Sequence, residues 1–388
     1  MKKLIIVGGG IQGCTLAINL LKSGRLNTED LLIIDQHDRP LSNWKRCTET
    51  ISMPYLRSPS VHHLDLNPFS LEAFSKKQGY HKVSHFYGYY DRPSLEMFND
   101  HCDAIIEDLR IQDCYFQGSV ASIDREGSCW TVMTEDGLAF HSDKVVLAMG
   151  LSGQPCWSEW ALEAKKSGAS IHHVFDKTMP FIENLSPSIA VIGGGISGAH
   201  LTLKLKEHYP GKVSFIFKKP LEVHTFDSDP GWQGPMYMRA FQENKDYSWR
   251  RKTIVEARHK GSITKELYYQ LKKANEEGSI QLLQDEVERF DVSGQQLVFK
   301  SGEQRQASTV VLTTGFHAAP PGISWLQKTI EKEKLHCSSC GYPIVTPETL
   351  EWGENLFVMG PLAELEIGPV SRNIAGARRA TERIVSAI

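Results

Sequence analysis

Four consecutive apolar residues, Leu4 to Val7, run straight into three glycines, and an apolar-periodic stretch follows them. Cys14, Ala17, Ile18 and Leu21 fall at the three- and four-residue spacing of one helix face. The pattern predicts a strand from Leu4, a glycine turn, a helix from about Gln12 to Ser23 with Gly24 as its stop, and a second strand, LLIID, ending in Asp35. Between Gln36 and Tyr90 neither period persists, and this stretch, rich in Pro, Ser, His and aromatic residues, reads as irregular. A helix over Ser94 to Leu109 and short strands alternating with turns then lead to KVVLAMG, Lys144 to Gly150.

The same order returns in the second half of the chain. IAVIGGGISG, Ile189 to Gly198, opens a helix that runs to about His208. A strand, KVSFIFKK, a long irregular middle, short strands from Ile280 and TVVLTTG, Thr309 to Gly315, follow in turn. The two closing heptads share VVL at the same offset and end in Gly150 and Gly315. A repeat of this length predicts two related dinucleotide-binding domains and not a short-period solenoid. Short strands alternating with helices predict an α/β fold of parallel sheets with crossover helices. After Gly315 the chain passes through AAPPG and NLFVMGP to a terminal helix over about Asn373 to Ser386.

Composition narrows the class without changing this plan. A chain of 388 residues suggests two domains, and 41% hydrophobic with 23% charged residues excludes a disordered or fibrous protein. A net charge of −3 gives no general pull toward nucleic acid or an anionic membrane, and no apolar run approaches the roughly 18 residues of a membrane span. Two lysines before the first strand imitate the start of a signal peptide. The apolar run stops after Val7 and no small-residue cleavage site follows, so a cytoplasmic location is expected. The eight scattered cysteines are expected as buried thiols, apart from Cys337 and Cys340 in HCSSCG. No feature of the sequence sets an oligomeric state.

Gly8, Gly10 and Gly13 stand in G-x-G-x-x-G spacing, as do Gly193, Gly195 and Gly198. The first glycine allows the tight turn, the second lets backbone approach a pyrophosphate, and the third permits close packing of helix on strand. Each helix N-terminus then offers free N–H groups and a partial positive charge to the phosphates. The second strands of the two units end differently. Asp35 is placed to accept from ribose hydroxyls, whereas Lys218 and Lys219 suit a 2′-phosphate, so the second turn is expected to prefer NADPH over NADH. Paired lysines that merely keep a strand end soluble are the plainer alternative.

With these motifs the chain resembles, over nearly its whole length, the two-dinucleotide-binding-domain flavoproteins: glutathione and thioredoxin reductases, flavin-containing monooxygenases and N-hydroxylating ornithine and lysine monooxygenases. The resemblance implies FAD at Gly8 to Gly13 and NADPH at Gly193 to Gly198. It also implies an FAD domain over 1–165, interrupted by an NADPH domain over 166–318 and completed by 319–388. The closing run from Asn355 to Ile384 then finishes the flavin site, with Gly360-Pro361 where the family often has Gly-Asp.

Within that superfamily the branches differ in what reoxidises the flavin. Disulfide reductases place a C-x-x-C pair soon after the first glycine motif or at the start of the NADPH domain, where this chain has only Cys47 and Cys156. The segment from Ser42 to Phe74, within the flavin- and substrate-side stretch 36–93, is similar to the cavity-lining stretch of the N-hydroxylating and related monooxygenases. The resemblance proposes Trp44, Met53 and Arg57 as flavin-side residues, His62 and His63 as polar groups of the cavity, and Arg57 and His63 as candidates for a catalytic part. The flavin-containing monooxygenase fingerprint is partly present: Gly168 and His172 are correctly separated, but Lys166 replaces the aromatic and Phe175 comes one residue early.

WRRK, Trp249 to Lys252, reads either as a loop gripping the NADPH phosphate or as a solvated charge cluster. No histidine pair with supporting ligands suggests a metal site. The expected activity is an FAD- and NADPH-dependent monooxygenation of a small amine or sulfur compound with O₂. The alternatives are an NADPH-dependent reductase of a thiol, quinone or carrier protein, and a non-catalytic redox sensor holding both nucleotides.

Overall fold

A computed structural model describes residues 1–388. Its larger sheet runs, from one edge, through Glu351–Gly353, Leu356–Val358, Ala139–Leu147, Lys2–Val7, Leu31–Asp35 and Tyr115–Gln117. Lys2–Val7 sits centrally and pairs in parallel on both sides, Leu4 with Leu31 and with Lys144. Leu4 to Val7 are consequently buried, which is why this strand reads as an unbroken apolar run and not as an alternation. The antiparallel strands Val120–Glu126 and Cys129–Thr134 hang from the outer half of Ala139–Leu147. Leu356 pairs with Val145, so the chain returns to its first sheet after building everything between.

The second sheet is five-stranded and repeats the arrangement around Ile189–Ile192, with Val213–Phe217 and Gln281–Gln284 on one side and Thr309–Leu312 and Ile171–His173 on the other. All of its pairings are parallel. The antiparallel strands Val287–Asp291, Gln296–Phe299 and Gln304–Gln306 lay Leu297 and Phe299 against Ile171 and Val310.

Both stretches expected to be irregular contain helices, and the sequence conceals them for a physical reason. Ser42–Thr50 begins after Leu41 in a left-handed conformation (φ 62°), has no side-chain cap, and fully buries only Thr48. It therefore shows no apolar stripe. Contacts made after folding hold it: Trp44 Nε1 donates to Asn99 Oδ1 at 3.1 Å, Lys45 pairs with Asp103, and Arg46 donates to the carbonyl of Phe175 at 3.0 Å. Pro235–Glu243, Tyr247–Ala257 and Lys265–Glu276 occupy the second such stretch.

The first of these stretches also joins the two halves. Ile51 belongs to the core beneath the second sheet, and Met53 packs against that core and against the larger core of the first.

Candidate functional site: two nucleotide cradles and their junction

The first cradle forms where Lys2–Val7 turns into the helix Ile11–Lys22. Gly8 adopts φ 113°, and a Cβ at Gly13 would lie 1.9 Å from the Gly8 carbonyl oxygen, so neither position admits a side chain. Around Gly10 the space is open, with no atom within 4 Å of a Cβ built there. Gly10 caps the helix without a side-chain bond, and the first turn carries no acidic residue. The leading N–H groups are thus left for an anion and nothing negative competes for them.

At the end of the second strand, Asp35 accepts from Gly9 N–H at 2.7 Å and from His37 backbone and ring nitrogens at 2.9 and 2.7 Å. Burial alone would raise its pKa; the bonds from His37 and Gly9 outweigh burial and hold the carboxyl below its usual range. Asp35 is therefore an anion with lone pairs to spare for a ribose. Two buried polar atoms in this cradle, Gln12 Oε1 and His37 Nε2, have no partner in the protein. Such atoms are costly unless a ligand or water completes them, and they fit a bound dinucleotide here.

The second cradle repeats the geometry. Gly193 has φ 126°, and Gly195 caps Ile196–His208 with no side-chain bond and no acid in the first turn. A Cβ at Gly194 would lie 2.9 Å from that of Phe217, which places the next two residues, the exposed Lys218 and Lys219, at the mouth of this turn.

Two family models match these units: residues 110–377 match the pyridine nucleotide-disulphide oxidoreductase model and residues 5–152 an FAD-NAD(P)-binding model. The chain belongs to the pyridine nucleotide-disulphide oxidoreductase family. As a member of it the protein is an FAD- and NAD(P)H-dependent oxidoreductase. A search of curated proteins finds no significant sequence match.

Among solved structures the oxidoreductase is similar to ornithine hydroxylase PvdA from Pseudomonas aeruginosa, at 17% identity and TM-score 0.78, covering 100% of this chain and 98% of that one. It is also similar to DfoA, the FAD-bound cadaverine monooxygenase of Erwinia amylovora, at 15% identity and TM-score 0.73, covering 99% and 94%. A third is the bacillithiol disulfide reductase Bdr (YpdA) from Bacillus cereus, at 18% identity and TM-score 0.59, covering 100% and 98%. These are likenesses of fold.

One loop of the oxidoreductase spans the two cradles. Gly261 Cα lies 3.5 Å from a Cβ built at Gly195. Three residues earlier, Arg258 donates to the carbonyl of Pro369 at 3.1 Å and to Ser371 Oγ at 3.4 Å. The carbonyl of Ser371 in turn accepts from Gln12 Nε2 at 3.1 Å. Gly360 reaches the same place, since its Cβ would stand 3.1 Å from Gln12 Cγ. The Gly315 carbonyl accepts from Cys156 N–H and His173 Nε2, while Gly150 stands clear of neighbours beside Met149.

The remaining candidates separate. Leu41 donates its N–H to the Gly9 carbonyl at 2.9 Å, so the helix carrying Trp44 starts beside the first cradle, and Met53 lies between the two cores. His62, half-buried near Gln233, has its pKa lowered to about 4, by burial first and then by Arg378.

Arg57 is tied to the second unit: its guanidinium donates to the carbonyls of His224, Thr225 and Phe226 and to Ser262 Oγ at 2.7 to 3.0 Å. Two expectations need correction. His63 is fully buried against His101. It sits beside the far half of the first helix, where Asn19 donates to the Leu64 carbonyl, and its side chain is closed off from the surface. WRRK lies on the helix Tyr247–Ala257 and not on a loop, and its arginines are ion-paired, Arg250 to Glu366 and Arg251 to Glu364.

Proposed function

We propose that this oxidoreductase takes hydride from NADPH and uses O₂ to oxygenate a small amine or sulfur compound. In this reading residues 1–165 and 319–388 hold FAD and 166–318 hold NADPH. The observation that carries it is the contact path from Gly195 through Gly261, Arg258 and Ser371 to Gln12, which brings both cradles to one junction. Bound FAD supplies hydride acceptance and, once reduced, reaction with O₂.

The chain's own residues do the rest. The uncapped helix ends at Gly10 and Gly195 hold pyrophosphates, Asp35 accepts from a ribose, and Lys218 and Lys219 read a 2′-phosphate. Met53, between the two cores, and Trp44, on the helix that starts beside the first cradle, are assigned to keep water out. All eight cysteines are free, and Cys14, the one nearest the first cradle, is a buried thiol whose pKa is pushed up by burial, not a nucleophile. Ornithine hydroxylase and cadaverine monooxygenase among the structural neighbours support an amine substrate.

A reductase reading is favoured by the likeness to bacillithiol disulfide reductase and by one feature of this chain. Cys337 and the exposed Cys340 share a tight turn in which Ser338 Oγ lies 3.0 Å from Cys340 Sγ. Paired measurements separate the two readings. Oxygen uptake matched to NADPH oxidation, with a hydroxylated or sulfoxidised product, is expected of the oxygenase. Anaerobic turnover of a disulfide or quinone without oxygen uptake would instead establish the reductase. No steady NADPH consumption under either condition would leave only a nucleotide-binding sensor.

A further inference from the structure

The two cradles differ in one respect. Around Gly10 the space is open, whereas Gly195 is covered, because Gly261 Cα lies 3.5 Å from a Cβ built there. The covering loop, residues 258–262, closes on itself: Ser262 donates its N–H at 3.1 Å and its Oγ at 2.7 Å to the His259 carbonyl. Gly261 sits in this loop at φ 81°, a conformation that glycine adopts without strain.

What holds the loop belongs to the other unit. Arg57 donates to Ser262 Oγ at 2.9 Å. Arg258 donates to the Pro369 carbonyl at 3.1 Å and to Ser371 Oγ at 3.4 Å, and it shares the fully buried Glu364 with Arg251 and Arg372. Pro369–Arg372 is one short turn, and the flavin cradle holds it as well, since the Ser371 carbonyl accepts from Gln12 Nε2 at 3.1 Å. This turn has little freedom to absorb a displacement. A Cβ at Gly376 would stand 2.6 Å from Ser371 Cα, and Asn373 caps the last helix by accepting from Gly376 N–H at 3.0 Å. Close-packed elements of this kind transmit a shift instead of absorbing it.

One link in this path is incomplete without a ligand. Gln12 Oε1 is buried with no partner in the protein, so the amide is fixed through its nitrogen alone. A ligand bonded to this oxygen fixes the amide at both ends, and with it the turn and, through Arg258, the loop at Gly195. We propose that the two cofactors bind cooperatively: FAD in the first cradle sets the loop that completes the NADPH cradle, and a nucleotide at Gly195 tightens FAD by the same factor. The proposal rests on the function argued above, which assigns FAD and NADPH to these cradles. Reciprocity follows because the coupling between two binding sites is symmetric in free energy. Arg258 is the positioning residue of the link.

Release of FAD from the diluted holoenzyme, followed by flavin fluorescence, tests this with three nucleotides at saturation. NADP⁺ and 2′-phospho-ADP-ribose both carry the pyrophosphate assigned to Gly195, whereas adenosine 2′-phosphate carries only the end assigned to Lys218 and Lys219. The first two are expected to slow release about fivefold or more, and the third to leave it unchanged. In Arg258→Gln the slowing is expected to vanish. No slowing with nucleotide bound, equal slowing by adenosine 2′-phosphate, or slowing that survives in Arg258→Gln would overturn the proposal. So would slowing by NADP⁺ alone, which would mean that the nicotinamide holds the flavin by direct contact. If Arg258→Gln loses FAD on purification or no longer binds NADP⁺, the three nucleotides on the wild type decide. Anaerobic reduction of the flavin by NADPH keeps the two ideas apart. Normal reduction with unchanged FAD release removes the cooperativity and leaves the function, whereas no reduction removes the function itself.

Discussion

Gln12 Nε2 donates to the carbonyl of Ser371 at 3.1 Å and lies 3.4 Å from that of Asn373, the residue that caps the last helix with its own side chain. The two ends of the chain thus meet at the first glycine turn. Gln12 Oε1 faces the same buried place with no partner in the protein. A bound FAD that donates to this oxygen would gain a bond already oriented by two others.

Replacing Gln12 by Leu keeps the volume and removes all three bonds. FAD retention is expected to weaken by about 1–2 kcal/mol, roughly five- to thirtyfold in Kd. Titration of flavin into the apoprotein measures this, and equal affinity would show that Gln12 ties only protein to protein.

Lys218 and Lys219 stand exposed beyond Phe217 at the mouth of the second turn. With both changed to Glu, the preference for NADPH over NADH is expected to collapse or invert, chiefly through KM, because the change repels the 2′-phosphate and leaves the hydride-bearing ring untouched. An unchanged ratio of kcat/KM for the two nucleotides would mean that other residues read the phosphate.

Arg57 binds three consecutive carbonyls and Ser262 from across the junction. Ser262 lies one residue from Gly261, which touches the second cradle. Arg57→Met is expected to slow anaerobic flavin reduction by NADPH about tenfold or more while FAD content stays at the wild-type level, since a misplacement of about 1 Å between reacting groups is enough for such a loss. Stopped-flow absorbance follows this directly, and a wild-type rate would reduce Arg57 to a stabilising contact.

How much of this was legible in the sequence differs from one part of the site to another. Both cradles were readable, because their chemistry depends on local order: an apolar strand, glycines at fixed spacing and a helix, with Asp35 and Lys218 at the ends of the next strands. Gln12 sits inside the first motif at a position its spacing leaves free, so nothing marked it. The cluster around Glu364 was invisible, since Arg251, Arg258 and Arg372 converge only once the closing segment has returned to the first sheet. WRRK drew attention as a charge run, and its true role depends on carboxylates more than a hundred residues away. His63 is hidden for the opposite reason. A histidine in a polar, aromatic stretch looks exposed unless the fold reveals that Leu64 and His101 bury it.

That burial gives the last prediction. His63 and His101 lie edge to face with ring centroids 5.1 Å apart, and each has an Nδ1 without a partner. Burial pushes both pKa values down from 6.5, to about 3 for His63, where His101 adds to the effect, and to about 4 for His101. Both are neutral in the folded protein at pH 5.5, while in the unfolded chain both are mostly protonated there. The unfolded state therefore binds more protons, and stability must fall as the pH drops below about 6.5. Carboxylates such as Asp35, held below their usual range, contribute their loss only at lower pH, so the window from 7.5 to 5.5 reports histidines. Each histidine should cost about 1.4 kcal/mol between those two values. His62, His173 and His200 are lowered in the same direction and add to the total, so the informative quantity is the difference between wild type and His101→Phe. Urea unfolding of the FAD-loaded protein at both pH values is expected to show a loss smaller by about 1.4 kcal/mol in the variant. Equal losses would mean that His101 accepts a proton without unfolding its surroundings.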